Sequence, residues 1–261
     1  MIKLWKVKTL FLTGFFCLAL FRPVFGQDMT VEELAAGMSQ KWSSIQDLQA
    51  DMTVGMQMFG KMMKVQGTIW QKDKLFRAEM TLPPELVPQT DESAEPVKVL
   101  MVFDGKIMWQ LLPMMNMATK IDISELKGTI KNAPFSKSFY SLPDVSYQLS
   151  EKEQNGNTYY FLETKEADKF VKNSPVAGMG VNMPTNMSFQ GVGVWVNKDT
   201  LFPDRIEFYA QNKTPGMYVE FKNVKTDQGL ASKLFTFQVP KDVQVMDMTA
   251  SMKAIAEKTE K

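Results

Sequence analysis

Histidine is absent from this 261-residue chain, and its one cysteine, Cys17, lies within an N-terminal apolar run. Without histidine, Ser-His-Asp and Cys-His catalysis and nearly all zinc sites are excluded. The sequence also lacks a glycine-rich phosphate loop and a nucleophile elbow. The carboxylates are scattered singly, which leaves Asp, Glu or Lys chemistry as the only catalytic alternative. We therefore expect a protein that is not an enzyme and that has no cofactor and no metal.

The chain also has no large excess of charge of either sign, because its 30 basic and 29 acidic residues nearly cancel and are well mixed along the sequence. A nucleic-acid-binding protein would carry a basic patch or stripe, so nucleic acid is not an expected partner. Apart from the N-terminal run, no apolar stretch approaches the roughly 18 residues of a membrane span. We therefore expect a monomer without a mature transmembrane segment.

The first 26 residues are typical of a cleaved signal peptide. They begin with three lysines, Lys3, Lys6 and Lys8. The apolar run TLFLTGFFCLALF follows, and Val24-Phe25-Gly26 places small residues where signal peptidase cleaves. Phe15 and Phe16 precede Cys17, where a lipid-anchored protein would have small residues. We expect a single domain at 27–261, located in the periplasm and lacking disulfides.

The periodicity predicts one helix followed by many strands. Thr30-Val31-Glu32-Glu33 is a capping box, and apolar residues spaced at helical intervals predict a helix over 31–43. From 48 to 58 the apolar residues recur at every second position, as in a half-buried strand. Further strands are predicted at 62–72, 74–82, 98–103, 106–112, 116–123, 145–151, 158–164, 190–197, 203–211, 216–225 and 234–239, with an edge strand at 243–246.

Turn chemistry organises these strands into hairpins. Asp104-Gly105 and Asn155-Gly156 are strong hairpin dipeptides. Residues 83–97 read as a loop, 124–142 as one or two short helices, and 166–190 as irregular. A frayed helix is predicted after Thr249. The fold class is mainly β (α+β), an unclosed antiparallel barrel of about 9–11 strands with an N-terminal helix and short lid helices.

Methionine is unusually frequent, with 21 residues. Its flexible, polarisable side chain fills irregular cores and suits surfaces that must adapt to varied apolar ligands. Thioethers also bind Cu(I), and Met179, Met183 and Met187 are spaced by four. Proline and glycine interrupt that segment, however, and no histidine or cysteine assists there. Core filling, an apolar ligand cavity and a copper site therefore remain three interpretations of the methionines.

The strand alternation predicts which side chains would line an apolar cavity. The candidates are Met52, Val54, Met56, Met58, Ile69, Phe76, Met80, Met101, Phe103, Met108, Ile206, Phe208, Val219 and Phe221. Their strands would curve around a shared interior. Over 62–72 the alternation does not decide which face points inward, because Met62 and Met63 occupy both faces.

Four segments follow one another along the chain: LQADMTVGMQM, GTIWQKDKLFRAEM, VFDGKIMWQLLPMMNMAT and LFTFQVPKDVQVMD. Their order and spacing resemble the LolA-like periplasmic lipoprotein carriers. The resemblance implies an unclosed β-barrel with a helical lid, formed here by the first helix and 124–142. It also implies an acylated lipoprotein or lipid as cargo, an inner-membrane donor complex and an outer-membrane acceptor. Phe76 would lie near the cavity mouth.

One position departs from the family pattern. After GTIW the carriers have a basic residue followed by proline, and that arginine helps to latch the lid. Here the sequence is Gln71-Lys72-Asp73-Lys74, so Lys72 or Lys74 would have to replace it. The expected function is a non-catalytic carrier that moves acyl chains towards the outer membrane. The alternatives are a methionine-rich Cu(I)-binding periplasmic protein and a lipoprotein sensor on the same fold.

Overall fold

The computed structural model describes residues 29–58, 60–87, 96–126, 142–173, 189–210 and 214–259, and about half of these residues lie in strands. The predicted signal peptide, 1–26, lies outside these ranges. The twelve strands are β1 Asp47–Met58, β2 Lys61–Lys72, β3 Leu75–Thr81, β4 Lys98–Phe103, β5 Ile107–Leu112, β6 Met117–Asp122, β7 Gln148–Gln154, β8 Asn157–Thr164, β9 Gly191–Asn197, β10 Pro203–Tyr209, β11 Pro215–Thr226 and β12 Gln244–Asp247.

Helix α1, Val31–Ser43, has the predicted bounds and the predicted capping box. The Glu33 backbone N–H donates to the Thr30 hydroxyl over 3.1 Å, and the Thr30 N–H donates to the Glu33 carboxylate over 2.9 Å. These two bonds satisfy donors that a helix start otherwise leaves unpaired. Leu34, Met38 and Trp42 are buried against the sheet, so α1 covers one of its faces.

Two further α-helices are described, α2 at Ala167–Asn173 and α3 at Thr249–Thr259. The C-terminal helix was predicted, but the prediction that 166–190 is irregular is wrong for α2, where Phe170 is buried in the core. In the predicted helical segment 124–142, a short 3₁₀ helix at Ile123–Glu125 overlaps the start. The remainder of that segment, from 127 to 141, lies outside the described residues. No described helix is long and apolar enough to cross a membrane.

All twelve strands form one sheet in the order β12-β6-β5-β4-β3-β2-β1-β11-β10-β9-β8-β7. Because β7 and β12 form its two edges, the described sheet is unclosed, which confirms the predicted fold class. Two details differ from the prediction. There are twelve strands in the described chain, and β12 pairs with β6 in parallel. The other pairs are antiparallel, and β1 pairs with β11 across 160 or more residues of sequence.

The two predicted hairpin dipeptides are confirmed as turns. Asp104 Oδ1 accepts hydrogen bonds from the backbone N–H groups of Lys106 and Ile107, over 2.9 and 2.7 Å. Gly105 has a φ of 95°, a conformation that strongly favours glycine. Asn155 and Gly156 also have positive φ, as a tight hairpin turn requires.

The strand predicted at 234–239 is wrong. Residues Ser232–Phe235 form a 3₁₀ helix, and the following residues cross the sheet without joining it. Phe235 is only 1% exposed, and the Phe237 ring lies 5.0 Å from that of Trp109. The alternation of apolar residues here reflects packing on a sheet face, which produces the same period as strand pairing.

The sheet therefore has two distinct faces. We call the face covered by α1 the inner face, and the opposite face, crossed by residues 227–243, the outer face. The outer crossing is held by Asp47, whose carboxylate accepts from the backbone N–H groups of Gln228 and Leu230 over 2.7 and 2.8 Å. Arg77 donates to the Leu234 carbonyl over 3.1 Å. These bonds fix the connection that delivers β12 to the sheet edge.

Candidate functional site on the inner face

The strand register places all fourteen predicted cavity residues on the inner face. Directly opposed residues of neighbouring strands point to the same side of a sheet. Met56, for example, opposes Met217 on β11 and Met63 on β2, while Phe76 opposes Phe103. Thirteen of the fourteen belong to one apolar cluster with α1; Met58, opposite Lys61 at the hairpin end, does not.

The apolar surface consists of rows of side chains that oppose one another across neighbouring strands. One row starts beneath α1 and crosses six strands: Leu48, Gln71, Phe76, Phe103, Met108 and Ile121. Another crosses seven strands: Leu149, Leu162, Val194, Ile206, Val219, Val54 and Val65. The first row is almost fully buried, so the end of the sheet near the start of β1 is tightly packed.

Half-buried methionines distinguish the opposite end of the inner face. Six inward methionines are partly exposed, and we call them the methionine rim: Met56, Met58, Met63, Met80, Met101 and Met117. By contrast, Met52, Met108 and Met217 are buried deeper in the cluster. All of the rim residues except Met101 lie towards the strand ends marked by the Gly60 turn, the β3–β4 connection and Pro113.

The register also resolves the ambiguity over 62–72. Met63 opposes Met56 and lies on the inner face with Val65 and Ile69, whereas Met62 opposes Gln57 on the outer face. Met62 is 38% exposed. The sequence prediction omitted Met63, because two adjacent methionines satisfy a period of two in either phase.

The structure locates the two lysines considered in place of the family's latch arginine, Lys72 and Lys74. Lys72 lies on the outer face, where its ammonium group donates to the Leu230 carbonyl over 2.6 Å. Lys74 is exposed in the β2–β3 turn. The inward residue at this point is Gln71, which is 8% exposed and lies between Leu48 and Phe76 in the first cross-strand row.

The copper alternative can be compared with the residues that the structure describes. No group of three His, Cys, Asp or Glu side chains that could hold a metal is found among them. Met179, Met183 and Met187 lie outside the described residues. The inner face does place three thioether side chains next to one another across adjacent strands, since Met217 opposes Met56 and Met56 opposes Met63.

Comparison with known proteins gives weak sequence similarity and a clearer structural one. No family model matches the chain. A curated but uncharacterized protein from Methanocaldococcus jannaschii is 24% identical over 249 residues, covering 93% of this chain. The chain spans 62% of the length of that relative.

Among solved structures, an uncharacterized conserved protein from Thermus thermophilus matches with a TM-score of 0.52 at 14% identity. The match covers 84% of this chain and 99% of the other, which shows a shared fold. A LolA superfamily protein from Nitrosomonas europaea is also matched, at 14% identity and a TM-score of 0.33, covering 78% and 97% of the two chains. The described fold is mainly β and unclosed, with an N-terminal helix on the inner face.

Proposed function

We propose that this protein binds the acyl chains of a lipoprotein or a lipid on its inner face and carries them through the periplasm towards the outer membrane, without catalysis. The observation that carries the proposal is the methionine rim. An apolar core that served packing alone would favour Leu, Ile and Val, which specify one arrangement. Here methionines, which repack at low cost, are concentrated where the apolar interior is partly exposed.

The energetics of transfer explain why such a surface is useful. An acyl chain of about 15 methylenes costs on the order of 12 kcal/mol to expose to water, at about 0.8 kcal/mol per methylene. A carrier must offset most of that cost and still release its cargo. Pliable methionine side chains accept chains of different length and bend without a single tight fit, which suits binding followed by release.

The predicted signal peptide supports the periplasmic setting. The site is supported by the position of the fourteen predicted residues on one face of the sheet. Donor and acceptor complexes at the two membranes follow from the family resemblance alone. The cargo is defined here by its acyl chains, because the inner-face positions in the cluster are apolar.

The test compares two methionines that differ mainly in the face they occupy. Met56→Glu places a carboxylate on the inner face, whereas Met62→Glu makes the same change on the exposed outer face of the neighbouring strand. Binding is measured with a fluorescent fatty acid and with a triacylated lipopeptide, after thermal melts show that each variant is folded. We expect Met56→Glu to weaken binding at least tenfold and Met62→Glu to leave it unchanged.

Folded Met56→Glu protein that binds both probes like the wild type would contradict the proposal. If Met56→Glu does not fold, Met80→Gln provides the milder change at another rim position. Phe76 is a poor choice for this experiment because it is only 3% exposed, so a charge there would destabilise the fold itself.

The copper-binding alternative has one supporting observation, the row Met217, Met56 and Met63. Thioethers select Cu(I), and cross-strand neighbours have Cβ atoms about 5 Å apart, within reach of one ion. Titration with Cu(I) under reducing conditions separates the two functions. Stoichiometric copper binding that is lost in Met63→Leu, together with unchanged lipid binding in that variant, would favour the metal.

A further inference from the structure

The methionines of the described chain range from fully buried to largely exposed. Met38 and Met217 are at most 1% exposed, whereas Met115, in the turn between β5 and β6, is 61% exposed. The six residues of the methionine rim lie between these limits. A small oxidant in solution must reach the sulfur atom to react with it, so the rim methionines are open to oxidation and the core methionines are protected from it.

Cysteine thiols do not compete with these thioethers for an oxidant. The single cysteine, Cys17, lies within the predicted signal peptide, so the predicted domain at 27–261 contains none. Methionine is then the side chain of this domain that reacts most readily with a peroxide. With 21 methionines in the chain, any effect of a peroxide on the protein should depend on which of them are accessible.

Oxidation of a rim methionine would change the surface that is proposed to bind acyl chains. The thioether sulfur takes one oxygen atom from hydrogen peroxide: an S–O bond forms, the O–O bond breaks and water leaves. The sulfur is oxidised by two electrons, and the peroxide is reduced by the same two. The product, methionine sulfoxide, is polar. An acyl chain offers no hydrogen-bond donor, so covering a sulfoxide with it would bury an unpaired acceptor at a cost in affinity.

The strand register separates sensitive from insensitive methionines within a small area. Met63 on β2 opposes Met56 on β1, and Met56 opposes Met217 on β11. Two half-buried thioethers therefore lie beside a fully buried one in the same row. Met62 is the sequence neighbour of Met63 and is 38% exposed, but it lies on the outer face. Oxidation of Met62 would leave the inner face unchanged.

We propose that the methionine rim is a reversible oxidation site, at which a peroxide converts thioethers to sulfoxides and lowers the affinity of the inner face for acyl chains. This inference rests on the proposed function. A methionine sulfoxide reductase reverses the change, because two thiols supply two electrons and the oxygen leaves as water. A bound acyl chain would cover the rim, so the empty protein is the form that oxidation inactivates.

The experiment treats the purified protein with hydrogen peroxide, with and without a bound fluorescent fatty acid, and maps the sulfoxides by peptide mass spectrometry. We expect Met62 and Met115 to be oxidised in both samples, the rim residues only in the empty protein, and Met38 and Met217 in neither. Affinity for the fatty acid should fall about tenfold or more after oxidation of the empty protein. Treatment with methionine sulfoxide reductases specific for each sulfoxide epimer should restore it.

Two triple variants assign the effect to the rim. The first replaces three rim residues by leucine, which is apolar, similar in volume and resistant to peroxide: Met56→Leu, Met63→Leu and Met80→Leu. The second makes the same change at three exposed positions outside the rim: Met62→Leu, Met114→Leu and Met115→Leu. After peroxide treatment the first variant should keep its affinity, whereas the second should lose affinity as the wild type does.

Three outcomes would count against the inference in distinguishable ways. Oxidised wild type that binds the fatty acid as tightly as untreated protein would overturn the inference alone. Equal loss of affinity in the two triple variants would also overturn it, because the sensitive methionines would then lie outside the rim. Untreated wild type that does not bind the fatty acid would refute the proposed function and this inference together.

Discussion

Gly67 lies on the inner face of β2, opposite Met52 on one side and Met80 on the other. A Cβ atom at this position would lie 1.9 Å from the Glu79 carbonyl oxygen and 2.8 Å from the Met80 Cα. Both are backbone atoms of β3, so relief requires the two strands to move apart rather than a side chain to rotate. Gly67→Ala should therefore lose about 3 kcal/mol of unfolding free energy, at the upper end of the cost of overpacking.

The same substitution at Gly37, in the middle of α1, supplies the control. There a Cβ would meet only Leu201 Cδ1, at 3.3 Å, and that is the end of a flexible side chain. Alanine gains about 1 kcal/mol over glycine within a helix, so Gly37→Ala should be neutral or slightly stabilising. Calorimetry should show the midpoint of Gly67→Ala lowered by roughly 6–12 °C for a chain of this size. A Gly67→Ala midpoint at or above that of wild type would refute the close β2–β3 approach.

Asp204 and Asp247 should contribute to stability with opposite dependence on pH. The measurement is the difference in unfolding free energy between wild type and each Asn variant, obtained by urea unfolding at a series of pH values. Burial, with the charge of Glu220, raises the pKa of Asp204 above 3.8, so wild type should lose stability relative to Asp204→Asn as pH rises through the interval above 3.8. Hydrogen bonds from Thr249, and then Lys120, lower the pKa of Asp247 to about 2. The destabilisation caused by Asp247→Asn should therefore be full above pH 3.8 and vanish as pH falls to about 2. A pH-independent difference for either variant would contradict the assigned environment.

Local signals accounted for most of the elements. The capping box at Thr30 determines the start of α1, and Asp104-Gly105 and Asn155-Gly156 determine two hairpins, because each signal involves residues close in sequence. The short helix α2 was missed since prolines and glycines further along 166–190 dominated the pattern. An examination of 167–173 alone, with its apolar Phe170, could have predicted this helix.

Non-local arrangements were beyond the sequence. The pairing of β1 with β11 and the parallel pairing of β12 with β6 depend on contacts between distant segments, which periodicity does not encode. Alternation at 234–239 suggested a strand because Phe235 and Phe237 share a side, yet they pack on the outer face. For Met62 and Met63 the sequence predicted a strand but did not decide which of the two side chains points inward. The pairing of Met63 with Met56 shows that it is Met63.

The most direct test of acyl-chain carriage is native mass spectrometry of the protein purified from a periplasm without detergent. The proposed function predicts an adduct of at least one acyl-bearing molecule, released as fatty acyl species on collisional activation and depleted in Met56→Glu but not in Met62→Glu. A bare chain that gains only copper from the medium would contradict carriage and assign the methionines to metal binding.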